Sequence, residues 1–307
     1  MRIRYKSSIF VFLILTSMTF VFAEEQKAQA AANLTQEADQ QVNDFSLSGY
    51  GDRGKKTWDL AGKSADIFND VVKLKTVEGN LYGKDEDIKL TADRGDFNKS
   101  DGKVHLEQNV VITTSAGTKL NTESLDWDRK AQRVSTLDKV NIARDNVLVV
   151  ALGAQGEPDL KKIAFEKDVK LDINPTEEDL KKENGLKEKI TITCDGPLNI
   201  DYEKSVATFL NNVQVERQDS TIYSDKMEVY FISSKEKKEK KDKEPGFMGS
   251  SIDKIVARGN VRVVRGENTS YSQEAIYTAK DKKLTLTGRP KLVIYSTESL
   301  SNASTGN

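Results

Sequence analysis

Residues 255–263 read I-V-A-R-G-N-V-R-V, and the same short phrase recurs as V-H-L-E-Q-N-V-V-I at 104–112, I-A-F-E-K-D-V-K-L at 163–171 and A-T-F-L-N-N-V-Q-V at 207–215. Each copy alternates apolar and polar residues, passes through a polar pair, and then continues with valine, a variable residue and a second apolar residue. Alternation with a period of two and many β-branched residues is typical of strands that bury one face. The phrase therefore predicts a β protein built from a repeated unit.

The repeats follow one another at a nearly constant interval. The polar position of the phrase recurs after 29 or 30 residues over most of the chain, at Asn80, Asn109, Lys139, Asp168, Asn212, Asn260 and Arg289. Two intervals are longer, and each contains a charged insertion, at 175–189 and at 234–250. The first insertion predicts a short helix that ends at Gly185. A fixed period indicates units that stack on one another and share one core.

A second phrase lies between copies of the first. Its first residue is apolar, its next two are small or polar, and its fourth is an acid. The acids are Asp93, Glu123, Asp225 and Glu274. Polar residues at such positions suit turns, where their side chains hydrogen-bond to nearby backbone. We therefore expect each unit to consist of a strand, a tight polar turn at the Gly-Asn pair, a second strand, a loop and a third strand.

Alternation also predicts which side chains the stack encloses. Val111, Gln214 and Arg262 lie between inner positions and are expected on the outer face. The inner face is expected to form an elongated apolar interior between two facing sheets. The residues predicted to line it are Leu106, Val110, Ile112, Leu120, Leu125, Trp127, Phe209, Val213, Val215, Ile222, Met227, Val229, Val261 and Val263.

The composition argues against several classes of function. The chain has 307 residues, 31% of them charged, and a formal net charge of -1, whereas nucleic-acid-binding proteins are usually clearly basic. Its one cysteine is Cys194 and its one histidine is His105. Zinc would therefore need carboxylate ligands, and a Ser-His-Asp triad has a single candidate base. We interpret Cys194 as a buried or half-buried thiol and His105 as a strand residue, and we expect no catalytic site, metal, cofactor or bound nucleic acid.

One stretch imitates a phosphate-binding loop. Residues 49–57 read G-Y-G-D-R-G-K-K-T, which satisfies G-x-G-x-x-G and nearly satisfies G-x-x-x-x-G-K-[ST]. Both motifs need a helix immediately afterwards, so that its N-terminus faces the phosphate. The sequence that follows alternates instead, which favours a turn into a strand. The lysine-rich run at 235–243 contains interspersed acids, which favours a solvated loop.

The N-terminus carries an export signal. Arg2, Arg4 and Lys6 precede a mostly apolar stretch, 9–23, that ends at Ala23 before two glutamates. A basic start, a short apolar segment and small residues at its end are typical of a secretory signal peptide. The alternative is an uncleaved membrane anchor formed by residues 9–23. Both interpretations place the rest of the chain outside the cytoplasm.

The ordered phrases behind an export signal resemble the OstA-like family of periplasmic lipopolysaccharide-transport proteins. The front half is similar to LptC through G-Y-G-D-R-G-K-K-T-W-D-L-A-G-K-S-A-D-I-F at 49–68 and V-V-K-L-K-T-V-E-G-N-L-Y at 71–82. The back half, 190–296, is similar to LptA through V-A-T-F-L-N-N-V-Q-V-E and I-V-A-R-G-N-V-R-V-V. In the family these are normally separate proteins and LptC keeps its membrane anchor. This chain therefore looks like a fusion, with an N-terminal segment that looks cleavable.

The resemblance implies an all-β fold, an elongated open β-jelly-roll made of stacked two-sheet repeats, with two such units in tandem. It also implies a division of the chain. The expected parts are a signal peptide or anchor at 1–23, a polar linker at 24–44, an LptC-like domain at 45–174, a charged linker at 175–189, an LptA-like domain at 190–296 that contains the insertion 234–250, and a flexible tail at 297–307.

The function that the resemblance implies is transport of lipopolysaccharide from the inner to the outer membrane. The acyl chains of lipid A would lie in the apolar groove, and the chain would form part of a bridge across the envelope. Its partners would be an inner-membrane lipopolysaccharide ABC transporter, other OstA-like domains and an outer-membrane lipopolysaccharide translocon, all joined through edge strands. The main alternative is a structural β-solenoid without a lipid cavity. An enzyme acting on polysaccharide would need a carboxylate pair, and none stands out.

Overall fold

The computed structural model describes residues 38–51, 54–83, 86–175, 177–181, 188–231, 252–281 and 283–295. These residues form seventeen strands and one short helix, α1 (Glu177–Lys181). The strands are β1 (Gln40–Tyr50), β2 (Lys56–Ile67), β3 (Val71–Tyr82), β4 (Asp87–Asn98), β5 (Lys103–Thr114), β6 (Lys119–Asp128), β7 (Arg133–Arg144), β8 (Val147–Gly156), β9 (Lys162–Ile173), β10 (Ile190–Cys194), β11 (Leu198–Asp201), β12 (Val206–Arg217), β13 (Ser220–Phe231), β14 (Ile252–Arg265), β15 (Asn268–Thr278), β16 (Lys283–Thr287) and β17 (Lys291–Val293). The all-β prediction is confirmed.

The strands form one continuous antiparallel sheet. From β1 to β9 each strand pairs with the next one along the chain. The short strands β10 and β11 both pair with β9 on one side and with β12 on the other, so together they take the place of one long strand. The meander then continues to β15, which pairs with both β16 and β17. The repeat of about 30 residues is thus a pair of long strands with their two hairpin turns.

The repeated phrase is a single kinked strand, and our expectation of a turn between two strands was wrong. Within β14 the pairing with β15 shifts between Arg258 and Val261, and the intervening Gly259 and Asn260 have φ of 77 and 47. Two adjacent residues in the left-handed region bend the backbone without reversing it, so the strand continues beside the same neighbour. Gln108 and Asn109 bend β5 in the same way, with φ of 65 and 54.

The kinks follow the predicted positions with one exception. Asp168, Asn212 and Arg289 also have positive φ, and the β7–β8 pairing shifts next to Lys139. Asn80 does not lie at a kink: β3 bends at Thr76, whose φ is 54, and Asn80 pairs regularly with Lys89. The letters around Asn80 match the phrase, but its amide donates to the Asp59 carboxylate at 2.7 Å within the ladder.

The two phrases of the repeat meet at the kinks. The Asn109 amide donates to the Asp93 carboxylate at 2.6 Å, and the Asn260 amide donates to the Asp225 carboxylate at 2.8 Å. A side chain at Gly259 would collide with Asp225, so this position needs glycine for space as well as for its positive φ. In these two units the acid of the second phrase therefore holds the kink of the first phrase on the neighbouring strand.

The kinks fold the sheet along its length, so that the two halves of each long strand face each other. One margin, the first lip, contains the strand ends near Leu81, Ile88 and Arg144; the other margin, the second lip, contains those near Trp127 and Tyr202. The lips meet along a seam. The Arg129 guanidinium on the second lip lies 5.9 Å from the ring centroid of Trp58 on the first lip.

Several predicted segments can be compared only in part. Helix α1 lies in the charged linker, as expected, but Gly185 is outside the described residues. Strand β1 begins at Gln40, within the segment assigned to the linker 24–44. The segment 9–23, the insertion 234–250 and the tail 297–307 also lie outside the described residues. Among the residues that the structure describes, no helix is long and apolar enough to cross a membrane.

Candidate functional site: the folded interior and its seam

The folded sheet encloses one apolar interior. A single cluster of buried side chains runs from Phe45 in β1 to Ala275 in β15. All the residues predicted to line the interior belong to this cluster or pack against it. Those that are buried are Leu106, Val110, Ile112, Leu120, Leu125, Phe209, Val213, Val215, Met227, Val229 and Val261, and those that are partly buried are Trp127, Ile222 and Val263. Whether they contact lipid stays a prediction.

The alternation of inner and outer side chains is clear just after the kink of β14. Ile222 and Val263 are direct partners across β13 and β14 and face inward, whereas the next pair, Tyr223 and Arg262, faces outward. The Arg262 guanidinium lies 4.1 Å from the centroid of the Tyr223 ring. A cation stacked on an aromatic face is stable at the protein surface. Here the outer pair is polar, as the sequence predicts, and it lies directly beside the inner pair on the same two strands.

Sequence reasoning missed some of the most deeply buried residues. Phe165 is fully buried, and it occupies the same place in its phrase as Leu106 and Phe209. Its repeat position was therefore a usable signal. Leu198 and Ile200 are also buried, but they lie in β11, which is too short to show an alternating pattern.

The interior continues without a break from the front half to the back half. Ile192 and Cys194 of β10 and Leu198 of β11 are buried between β9 and β12. At the break between these two short strands, the Asn211 amide donates to the Gly196 carbonyl at 2.8 Å. The backbone N–H of Leu210 donates to the Pro197 carbonyl at 3.1 Å. These bonds attach the interrupted strand firmly to β12.

Near the middle of the chain, charged residues line the seam. Glu86 and Arg144 on the first lip act electrostatically on Tyr202 of the second lip, whose pKa burial raises. Burial also raises the pKa of the Glu86 carboxyl, although Arg144 opposes this shift and the Thr114 hydroxyl donates to Glu86 at 3.4 Å. The ring of Tyr202 packs edge-on against Phe231, with centroids 5.8 Å apart. A partly desolvated carboxylate therefore sits where the two lips meet.

We expect Glu86→Gln to make the protein more stable at pH 7.5 but not at pH 4. The folded-state pKa of Glu86 is raised above its usual value of 4.5. The protonated Glu86 carboxyl therefore makes its full contribution to stability below pH 4.5. That contribution is lost as the pH rises through the higher folded pKa and the buried carboxyl becomes charged. Glutamine keeps a similar shape without the charge. Melting temperatures of both proteins between pH 4 and 7.5 test this, and a lower value for the variant at pH 7.5 contradicts it.

The seam widens beside this cluster into a cleft of ≈ 770 Å³. Both lips contribute apolar residues to its walls, among them Leu81 and Ile88 from the first lip and Ile163 and Ile200 from the second. Charged residues, including Glu86, Arg133 and Lys162, surround these apolar walls. Clefts that combine an apolar surface with a few polar groups are the usual shape of ligand sites.

Both ends of the folded sheet expose apolar side chains. At the front end, Leu47 of β1 is 54% exposed. At the back end, Leu292 of β17 is 65% exposed, and Ile294 and Tyr295 just after it are also exposed. These strands are the edges of the sheet, with unpaired backbone groups beside the apolar side chains. Such edges are suited to pairing with another strand.

The residues that could have signalled other chemistry have structural roles. His105 is a strand residue whose Nδ1 lies 2.7 Å from Oδ1 of Asp126 on the surface. Cys194 is a buried thiol, as predicted, and burial raises its pKa. The stretch 49–57 passes from β1 into β2, with no helix where a phosphate loop requires one. Over the described ranges, no group of three or more histidine, cysteine or acidic residues is placed to hold a metal.

Comparison with known proteins gives two adjacent family matches. Residues 9–174, just over half of the chain, match a family model described as "Lipopolysaccharide-assembly, LptC-related". Residues 192–307 match a second one, "LptA/(LptD N-terminal domain) LPS transport protein". A solved structure that the chain resembles is LptH of Pseudomonas aeruginosa, the LptA homologous periplasmic component of its lipopolysaccharide transport device. The identity is 11%, covering 68% of this chain and 95% of that one, with a TM-score of 0.18. No curated protein sequence matches significantly.

Proposed function

Because this chain belongs to the LptC-related lipopolysaccharide-assembly family, we propose that it carries the acyl chains of lipid A inside its folded sheet. The tandem of LptC-related and LptA-type matches makes it a periplasmic lipopolysaccharide transport protein. The proposal adds where the lipid lies. It also retains the predicted domains, LptC-like at 45–174 and LptA-like at 190–296, as two parts of one conduit.

The observation that carries the proposal is the continuous apolar interior, which crosses the boundary between the two family matches. Acyl chains cannot cross an aqueous compartment uncovered, since each CH₂ removed from water contributes roughly 0.8 kcal/mol. A row of similar aliphatic side chains offers a lipid nearly the same free energy at each step. This favours sliding along the interior over tight binding at one point.

The interior is closely packed by its own side chains, so a lipid needs the lips to part. The lips can part at the seam, because the opposite side of the fold, where each strand bends, is held by the kinks and their Asn–Asp bonds. The cleft between the lips, with Ile88 and Ile163 in its walls, already exposes apolar surface. Acyl chains entering there would replace side-chain contacts across the interior, while the phosphorylated sugars remain in water.

The two exposed edges supply the proposed contacts with partners. The front edge at β1 would pair with the inner-membrane lipopolysaccharide ABC transporter, which would supply the energy. The back edge at β16 and β17 would pair with other OstA-like domains or with the outer-membrane translocon. Pro290, just before β17, lacks a backbone N–H and would limit uncontrolled addition of strands. Residues 9–23 would export the chain or anchor it in the inner membrane.

Photocrosslinking tests the lipid position with matched pairs of residues. A photoreactive amino acid at Ile222 or Val263 faces the interior, and one at Tyr223 or Arg262 lies on the outer face of the same strands. These inner positions are only partly buried, so they tolerate the larger side chain better than the fully buried Val213. In cells that make lipopolysaccharide, we expect labelled glycolipid at the two inner positions and none at the two outer ones.

The same experiment separates the conduit from a structural scaffold. The close packing of the interior is what a scaffold would also show. A scaffold predicts no lipid at any of the four positions, even though the protein is exported and folded. Equal labelling of inner and outer positions would indicate nonspecific association with membrane and would likewise contradict the proposal.

A further inference from the structure

The second phrase of the repeat places a small side chain at the same point of the interior in several units. This residue is Thr122 before Glu123, Ser224 before Asp225, and Ser272 before Gln273. Thr122 pairs across the strands with Val110, Ser224 with Val213, and Ser272 with Val261. All three valines are buried on the inner face. The three hydroxyl-bearing residues therefore lie on the inner face of the sheet, next to the kinks.

These hydroxyls differ in whether they have a partner. In the front half the Thr122 hydroxyl lies 3.1 Å from the Thr136 hydroxyl, and the two satisfy each other. In the back half the Ser224 and Ser272 hydroxyls are buried and have no hydrogen-bond partner. Ser224 is only 5% exposed and Ser272 only 7%. A buried hydroxyl without a partner costs folding free energy, so each such case in a folded protein calls for an explanation.

We propose that Ser224 and Ser272 each offer a site for an oxygen atom carried by a lipid acyl chain, and that they favour hydroxylated chains over plain ones. This inference rests on the proposed function. The two serines lie on β13 and β15, on either side of Val261 in β14. Two strand spacings separate them by roughly 9–10 Å. A serine hydroxyl both donates and accepts, so it can bond a chain hydroxyl in either direction.

The apolar surroundings explain why such a bond would discriminate between lipids. Buried Val213 lies opposite Ser224, and buried Val261 lies opposite Ser272, so each hydroxyl adjoins an aliphatic side chain. In that setting a plain acyl chain leaves both serines unpaired, whereas the hydroxyl of a hydroxylated chain pairs with one of them and is itself buried at little cost. The front half, where Thr122 is already paired with Thr136, has no such preference.

The test compares calorimetric titration of tetradecanoic acid with titration of 3-hydroxytetradecanoic acid, both below their aggregation concentrations. We expect the full chain to bind the hydroxylated acid about 3–10-fold more tightly, the effect of one net hydrogen bond. In the double variant Ser224→Ala/Ser272→Ala this ratio should fall to about one. Thr122→Val, at the equivalent repeat position of the front half, should keep the wild-type ratio.

Thermal unfolding distinguishes the proposed role from a structural one. Removing unpartnered hydroxyls should leave the melting temperature of the double alanine variant equal or higher, whereas Thr122→Val should lower it by breaking the Thr122–Thr136 bond. A wild-type ratio near one, or an unchanged ratio in the double variant, overturns the inference but leaves the conduit standing. If neither acid binds the wild-type protein, both proposals fail.

Discussion

Val213→Asp should lower the free energy of unfolding by about 3–5 kcal/mol, the cost of an unpaired charge in a core. Val213 is 1% exposed and lies next to the kink of β12. The adjacent Gln214→Asp should cost less than about 1 kcal/mol, because that side chain points outward. Part of this smaller cost is repulsion from Glu216, which now accepts a hydrogen bond from the Gln214 amide at 2.6 Å. Urea unfolding monitored by circular dichroism measures both.

The same pair of variants should differ in function. Lipopolysaccharide delivery to the outer membrane should fall far more with Val213→Asp than with Gln214→Asp. Val213→Ala provides a control for destabilisation, since it loosens the packing at the same position without introducing a charge or a polar group. If delivery is lost equally with the inward and the outward aspartate, the interior is not the transport path.

Cutting the chain between Lys181 and Glu188 should leave the two halves associated. Strand β9 belongs to the front half, and it pairs with both β10 and β11 of the back half. Buried side chains reinforce the joint, since Phe165 pairs with Leu198 and both are fully buried. A protease site in place of residues 182–187 allows the cut. The cleaved protein should elute as one species from a sizing column.

A second substitution shows whether the joint causes this association. Leu198→Asp places a charge in the centre of the joint, so the cleaved variant should separate into two fragments. Uncleaved Leu198→Asp should unfold in two transitions, whereas the wild-type protein should unfold in one. Separation of the cleaved wild-type halves would show that the paired strands do not hold them together.

Much of this architecture could be predicted from local pattern. Period-two alternation identified the strands, and their repetition gave a shared interior, because both signals are properties of neighbouring residues. The bend at Gly259 and Asn260 was misjudged because glycine and asparagine suit a hairpin turn and a strand kink equally well. Asn80 was misplaced for a similar reason, since the letters of the phrase do not state where the backbone bends.

Contacts between residues far apart in the chain could not be predicted, because they leave no pattern in the local sequence. The seam brings Glu86 close to Tyr202, and nothing in either local sequence marks the other as its neighbour. The joint between the halves depends on β10 and β11 acting together as one interrupted strand. The unpaired state of Ser224 and Ser272 was also invisible, because Thr122 occupies the equivalent place opposite a buried valine and has a partner.

Strands β10 and β11 also determine how the proposed conduit would respond to dilution. When two OstA-like domains are separate proteins, the fraction of them joined follows mass action and falls as their concentrations fall. Here the joint forms within one polypeptide, so the effective concentration of one half near the other is fixed by the chain. The two halves are made in equal numbers and this junction needs no excess of either. At low expression only the contacts at β1 and at β16–β17 should limit how many complete bridges a cell holds.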